Sequence, residues 1–166
     1  MTRTHALALA ILFGLCLSAE AQSRIRHVQP AGLENNPNYT HAVVVEAGRP
    51  VYVSGQVARD AAGKVVGPGD MKAQAKQVFE NLKIALEAAG SDFAHVVRLN
   101  SYLTDMSQIA AYREVRVQCL GDLPHPPAST TVGVSRLVDP ALLLEVEAVA
   151  VVAEPPANTK KEPPAK

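Results

Sequence analysis

From Leu142 to Val152 the chain is apolar at nearly every position, and the run LLLEVEAVAVV is broken only by Glu145 and Glu147. Its valine content and lack of helical spacing predict a strand with two apolar faces. Alternation puts Leu144, Val146, Ala148, Ala150 and Val152 on one face, and Leu143, Glu145, Glu147, Val149 and Val151 on the other. Carboxylates on such a strand must be paired, hydrogen-bonded or turned to a cleft. Upstream, Pro126-Pro127 stop the preceding segment, and Ala128 to Ser135 alternates as a second strand. Ala128, Thr130, Val132 and Val134 share one face of it; Ser129, Thr131, Gly133 and Ser135 share the other. Asp139-Pro140 marks the link between the two strands.

The rest of the chain follows the same periodic logic. Ile25 to Val28 predicts a short strand, and Glu34 to Thr40 a turn-rich loop. His41 to Glu46 and Pro50 to Val57 predict a hairpin turning at Ala47-Gly48-Arg49. Gly55, inside the second of these strands, signals a bulge or a close approach of the backbone. Met71, Ala75, Val78, Leu82, Ala85 or Leu86, and Ala89 form one helical stripe, with Asp70 as N-cap and Gly90 as stop. Lys72, Gln74, Gln77, Glu80 and Lys83 fall off that stripe. Phe93 to Leu103 returns as a strand. Asp105 caps a second helix, Met106 to Leu120, with Ile109, Tyr112, Val115 and Cys119 as its stripe and Gly121 at its end.

The order ββ-α-β-α-ββ, with a short extra strand before it, predicts an α+β fold with two helices on one face of a mixed sheet. The last strand is apolar on both faces, and the chain is too short to cover the second face itself. A second copy of the chain is therefore expected against it.

The two ends read differently. Arg3, the apolar run Ala6 to Leu17 and Ala19-Glu20-Ala21 form a secretory signal over residues 1–21, with Gln22 as the expected new N-terminus. The apolar run is too short to span a bilayer, so no stable membrane insertion is expected after cleavage, and the mature chain is expected to be secreted or periplasmic. Residues 153–166 are rich in Pro and Lys and hold no large apolar side chain, which predicts a disordered tail after the 22–152 domain. The whole chain carries 16 basic and 16 acidic residues, a formal net charge of zero, which argues against a nucleic-acid partner. Cys16 leaves with the signal and Cys119 has no partner for a disulfide; a buried small hydrophobe is its expected role. His27, His41, His95 and His125 lack metal-ligand spacing, so no metal site is expected.

The chain from about Val28 to Val152 resembles the RidA/YjgF family of reactive-intermediate deaminases. The residues that carry the resemblance are Val51-Tyr-Val-Ser-Gly-Gln-Val57, Asn81-Leu82 and Ala88-Ala-Gly90. With them go Val97-Arg-Leu-Asn-Ser-Tyr-Leu-Thr-Asp105, Pro127-Ala128, Val134-Ser-Arg-Leu137 and Leu144-Glu-Val-Glu-Ala-Val-Ala-Val151. The resemblance implies a chorismate-mutase-like fold, a homotrimer with clefts between subunits, and hydrolysis of 2-imino acids to 2-keto acids and ammonia without a cofactor. It also assigns roles. Tyr39 and the Ser54-Gly55 segment would line the cleft, and Glu145 would place the attacking water.

One position departs from the family pattern. An arginine that clamps the substrate carboxylate follows Pro-Ala in active members, but Ser129 stands there, with Thr131 two positions on. A guanidinium grips a carboxylate with two charge-assisted bonds; a serine hydroxyl offers one neutral bond. Arg136 lies at odd spacing from Ser129, on the opposite strand face, whereas Arg98, on another strand, stays open as a replacement. Glu145 keeps two readings, as the residue that orients water or as a structural partner at the subunit interface; for Glu147 the interface or salt-bridge role is expected. The expected function is binding of a small metabolite in inter-subunit clefts lined by Tyr39, Ser54, Gly55, Ser129, Thr131 and Glu145. Hydrolysis of a substrate other than the usual 2-imino acids is the chemistry expected there. Imine deamination, and a non-enzymatic role at the cell envelope through the tail, are the alternatives.

Overall fold

The computed structural model describes residues 23–154. The expected signal segment and all but the first two residues of the expected tail lie outside them. Two antiparallel strands, β1 (Arg24–Val28) and β2 (Ala42–Ala47), pair with each other. The main sheet has the order β3-β6-β4-β5, from β3 (Arg49–Val57), β6 (Leu144–Val152), β4 (Val96–Leu103) and β5 (Ala128–Gly133). β6 runs antiparallel to both neighbours, and β5 runs parallel to β4. The helices α1 (Met71–Ala88) and α2 (Ile109–Leu120) pack on one face. The fold is therefore the expected α+β arrangement, a mixed sheet with its helices on one side.

The core lies between that face and the helices. Leu144, Val146, Ala148 and Ala150 from β6 meet Leu99 and Leu103 from β4, and Val78, Leu82 and Leu86 from α1. Each fully buried large apolar side chain contributes about 1.5–3 kcal/mol, so the alternation in β6 orients the whole sheet. Helix α1 begins at Asp70, whose side chain accepts from the Ala73 amide at 3.1 Å, and ends before Gly90 at φ +79°. Asn81, in the middle of α1, donates to the carbonyls of Val57 and Arg59 at 3.0 and 2.9 Å, tying the helix to the exit of β3.

Three expectations need correction. The segments around Gly48 do not form a hairpin: β2 pairs with β1 and β3 with β6, so the chain passes between sheets at Gly48, φ +115°. The apolar β6 is the better partner for β3 because pairing there extends the buried layer. Gln74 is not on a solvated face; it is fully buried. Its amide donates to the Ala141 carbonyl at 2.7 Å and to the Gly67 carbonyl at 3.2 Å, and its oxygen accepts from the Leu143 amide at 2.8 Å. Helical spacing cannot reveal a polar residue buried to satisfy loop backbone. Finally, single turns of 3₁₀ helix, Phe93–His95 and Met106–Gln108, replace the start of the fourth strand and of the second helix. Asp92 and Asp105 cap them.

Candidate functional site

The face of the sheet away from the helices carries the unusual chemistry. Strand register arranges it in rows. Tyr52, Val149, Arg98 and Ala128 form one row; Glu147, Asn100 and Thr130 form the next; Val57, Glu145, Tyr102 and Val132 form the third. The register of β3 shifts between Val53 and Gln56, so Ser54 and Gly55 bulge out opposite Glu147. This is the irregularity that a glycine inside a strand pattern predicts. Tyr52 is 78% exposed on this face at the β3 edge, and Val132 is exposed at the β5 edge.

A polar chain runs through the rows. Arg98 Nε donates to Asn100 Oδ1 at 3.0 Å. Asn100 Nδ2 donates to Glu147 Oε1 at 2.6 Å, and the Tyr102 hydroxyl donates to the same oxygen at 3.1 Å. Burial pushes the Tyr102 phenol up, and its bond to Glu147 and the charges of Glu147 and Glu145 add to this, so the hydroxyl stays protonated and donating. Glu147 is thus held by neutral donors and not by a salt bridge among the described residues. Glu145 lies against Gly55: a Cβ built on residue 55 would overlap Glu145 Oε1. The glycine is what leaves room for this carboxylate.

Two cavities meet at Arg98. One, of about 250 Å³, is lined by Tyr52, Ser54, Arg98, Asn100 and Glu147. The other, of about 270 Å³, is lined by Tyr39, His41, Arg98, Ser129 and Thr130. Tyr39 is held in its loop by donating to Glu34 Oε1 at 2.7 Å. Thr40 ties that loop to the start of β5 through the carbonyls of Pro126 and Pro127. Arg98 forms no salt bridge among the described residues, so its guanidinium ends remain available.

The structure therefore divides the residues expected to share a site. Tyr39 and Ser129 share a cavity at the β5 edge of the sheet. Gly55 and Glu145 meet near the β3 edge. Ser54 lines the cavity between them, and neither cavity at Arg98 is lined by Glu145 or Thr131. Ser129 and Thr131 pair with Leu99 and Ser101, which are fully buried on the helix side, so they lie on the opposite sheet face from Glu145. Arg136 lies past the end of β5 in a separate crevice with Leu137, Val138 and Pro140. Sequence reasoning left Arg98 open and missed Asn100 and Tyr102. The signal was present: Arg98, Asn100 and Tyr102 are polar or amphipathic at alternate positions of a strand whose other face is apolar except for Ser101. Among the described residues, no group of three His, Cys, Asp or Glu side chains is placed to hold a metal ion. Among them, too, no helix is long and apolar enough to cross a membrane.

The model of the endoribonuclease L-PSP family matches residues 31–152. The chain belongs to that family, the RidA/YjgF family. Among its relatives, protein DfrA of Myxococcus xanthus is 42% identical over 113 residues, 68% of this chain and 84% of that protein. The 2-iminobutanoate/2-iminopropanoate deaminase of Rattus norvegicus is 33% identical over 114 residues, 68% of this chain and 79% of the rat protein. Among solved structures, the Rid-family protein YyfB from Yersinia pestis, described as of unknown function, superposes with a TM-score of 0.72 at 35% identity. That match covers 77% of this chain and 98% of that one. Family membership carries the chorismate-mutase-like fold with it, and the sheet and helix arrangement above is that fold.

Proposed function

We propose that this protein hydrolyses 2-imino acids to 2-keto acids and ammonia in clefts between copies of the chain, with Arg98 taking the substrate carboxylate in place of the arginine that Ser129 replaces. The observation that carries this reading is the position of Arg98, which lines the Tyr39–Ser129 cavity and has no carboxylate partner among the described residues. It supplies the fixed positive charge that Ser129 cannot. The likeness to the rat deaminase supports the same reaction class.

In the proposed step, water adds its oxygen to C2 of the protonated imine, and a carboxylate takes the proton that the water loses. The resulting carbinolamine breaks its C–N bond as the nitrogen receives that proton, and its hydroxyl, becoming the carbonyl, passes its own proton to the departing ammonia. The 2-keto acid and ammonium leave, and no electrons are transferred. Glu145, packed on Gly55, is the carboxylate assigned to the water; Glu147, bonded to Asn100 and Tyr102, keeps the face in order. The Tyr39–Ser129 half and the Gly55–Glu145 half lie toward opposite edges of the sheet. A ring of copies placing the β5 edge of one beside the β3 edge of the next completes each site and covers the exposed Tyr52 face, and a homotrimer is the ring proposed. Export to the periplasm or beyond by residues 1–21 is also proposed; N-terminal sequencing of the mature protein should begin at Gln22.

The test is turnover of 2-iminopropionate generated in situ. Bonds to a charged group contribute about 1.5–3 kcal/mol, so Arg98→Ala should lower kcat/KM roughly 10- to 150-fold. Adding Ser129→Arg to that variant should restore much of the loss. Full activity in Arg98→Ala would overturn the role of Arg98. Absence of turnover in the parent chain, with turnover of an uncharged imine instead, would favour the altered-substrate reading that Ser129 first suggests.

A further inference from the structure

Arg116, on α2, is the one guanidinium buried in the core of the described chain, with 5% of its surface exposed. Only one of its nitrogens has a partner among the described residues: Nη1 donates to the Asn38 carbonyl at 2.9 Å. Nε and Nη2 are buried with none. These two form the side-on edge of the guanidinium, whose parallel N–H groups match both oxygens of a planar oxyanion. Arg116 also lines a cavity of about 120 Å³, together with Pro37, Asn38, Leu120, Leu123 and Pro126. That space holds several water-sized groups and is too small for a nucleotide.

The electrostatics agree with the geometry. Burial pushes the guanidinium pKa down; the Tyr112 phenol opposes this, and the neighbouring Arg113 cation adds to it. Among the described residues no carboxylate acts on Arg116. The Tyr112 hydroxyl is itself engaged with Ser101 and is pushed up by burial, so it brings no negative charge. A buried, unpaired guanidinium is destabilising unless a counter-charge is supplied.

We propose that Arg116 anchors a binding site for a small carboxylate, gripped through Nε and Nη2 in the crevice between α2, the 37–38 loop and the 121–126 loop. The site is separate from the Arg98 cavity but shares its frame. Asn38, which Arg116 holds, precedes Tyr39, and Pro126 accepts from Thr40 beside it. A bound carboxylate would fasten the loop that carries Tyr39 without touching the imine.

Formate and acetate are the probes, titrated into the full-length mature protein at constant ionic strength. Arginine Nε–H resonances in the ¹H–¹⁵N spectrum give a direct readout that needs no variant. One buried Nε–H signal should shift saturably. By calorimetry the affinity should fall at least tenfold in Arg116→Met and partly in Arg116→Lys, which keeps charge but not the fork. Two results would overturn the proposal: no saturable shift, as when water alone or a second copy meets the fork; or equal binding in both Arg116 variants.

Discussion

Replacing Gly55 with alanine separates where the Glu145 carboxylate sits from what it can do. The added methyl would overlap Glu145 Oε1 and come within 2.8 Å of Cδ and 3.0 Å of Cγ. Those atoms are the flexible end of a half-buried side chain, so they can swing aside. Gly55 is not among the glycines with positive φ, so its backbone accepts alanine. Moving Glu145 off its preferred rotamer costs about 0.5–1.5 kcal/mol. Stiffening the unfolded chain returns about 0.4–1 kcal/mol. Net stability should therefore change by no more than about 1 kcal/mol, a few degrees in Tm. Activity should respond differently, because a positioned acid–base group contributes about 10²–10⁴-fold and loses it when misplaced. The assay pairs 2-iminopropionate turnover with urea unfolding on Gly55→Ala, Glu145→Gln and the double variant. The two single changes should each lower kcat by two orders of magnitude or more, and the double variant should be little worse than either. Near-normal turnover in a well-folded Gly55→Ala would refute the placement of water by Glu145. A loss of several kcal/mol in stability would instead refute the claim that only the carboxylate moves.

Other outcomes follow from single contacts. Gln74→Met keeps the volume but strands the Leu143 amide and the Ala141 carbonyl in the core; about 2–4 kcal/mol of stability should be lost in urea unfolding. Tyr102→Phe removes one donor from Glu147 Oε1, and should lower stability by no more than about 1 kcal/mol while reducing turnover if the network holds the face in order. His27 stacks on His125 at 5.0 Å, and its pKa is lowered by burial and then by the His125 charge. A base with a depressed folded pKa leaves the unfolded chain binding more protons. The stability it contributes is present above the ordinary histidine range and is lost as pH falls below about 6.5. Thermal melts should show this loss between pH 7.5 and 5.5, and His27→Gln should flatten that part of the profile.

Local spacing and residue type determined the two helices, the Asp70 cap of the first, the four strands of the main sheet and the irregularity at Gly55, because each depends on neighbours within a few residues; Asp105 caps the 3₁₀ turn that precedes the second helix. The motifs also located Glu145 on the face away from the core. What lies between distant segments was not legible. Choice of strand partner depends on which pairing buries more surface, and this sent β3 to β6 and left β2 with β1. Parallel pairing of β5 with β4 put Ser129 on the helix side while bringing Arg98 beside Ala128. Gln74 and Arg116 look like surface residues in a helical pattern, and only the packing of loops over them shows that both are buried. Periodicity reports which way a side chain points from its own element; which groups meet there is settled by contacts between residues far apart in the chain, and those exist only once the sheet has formed.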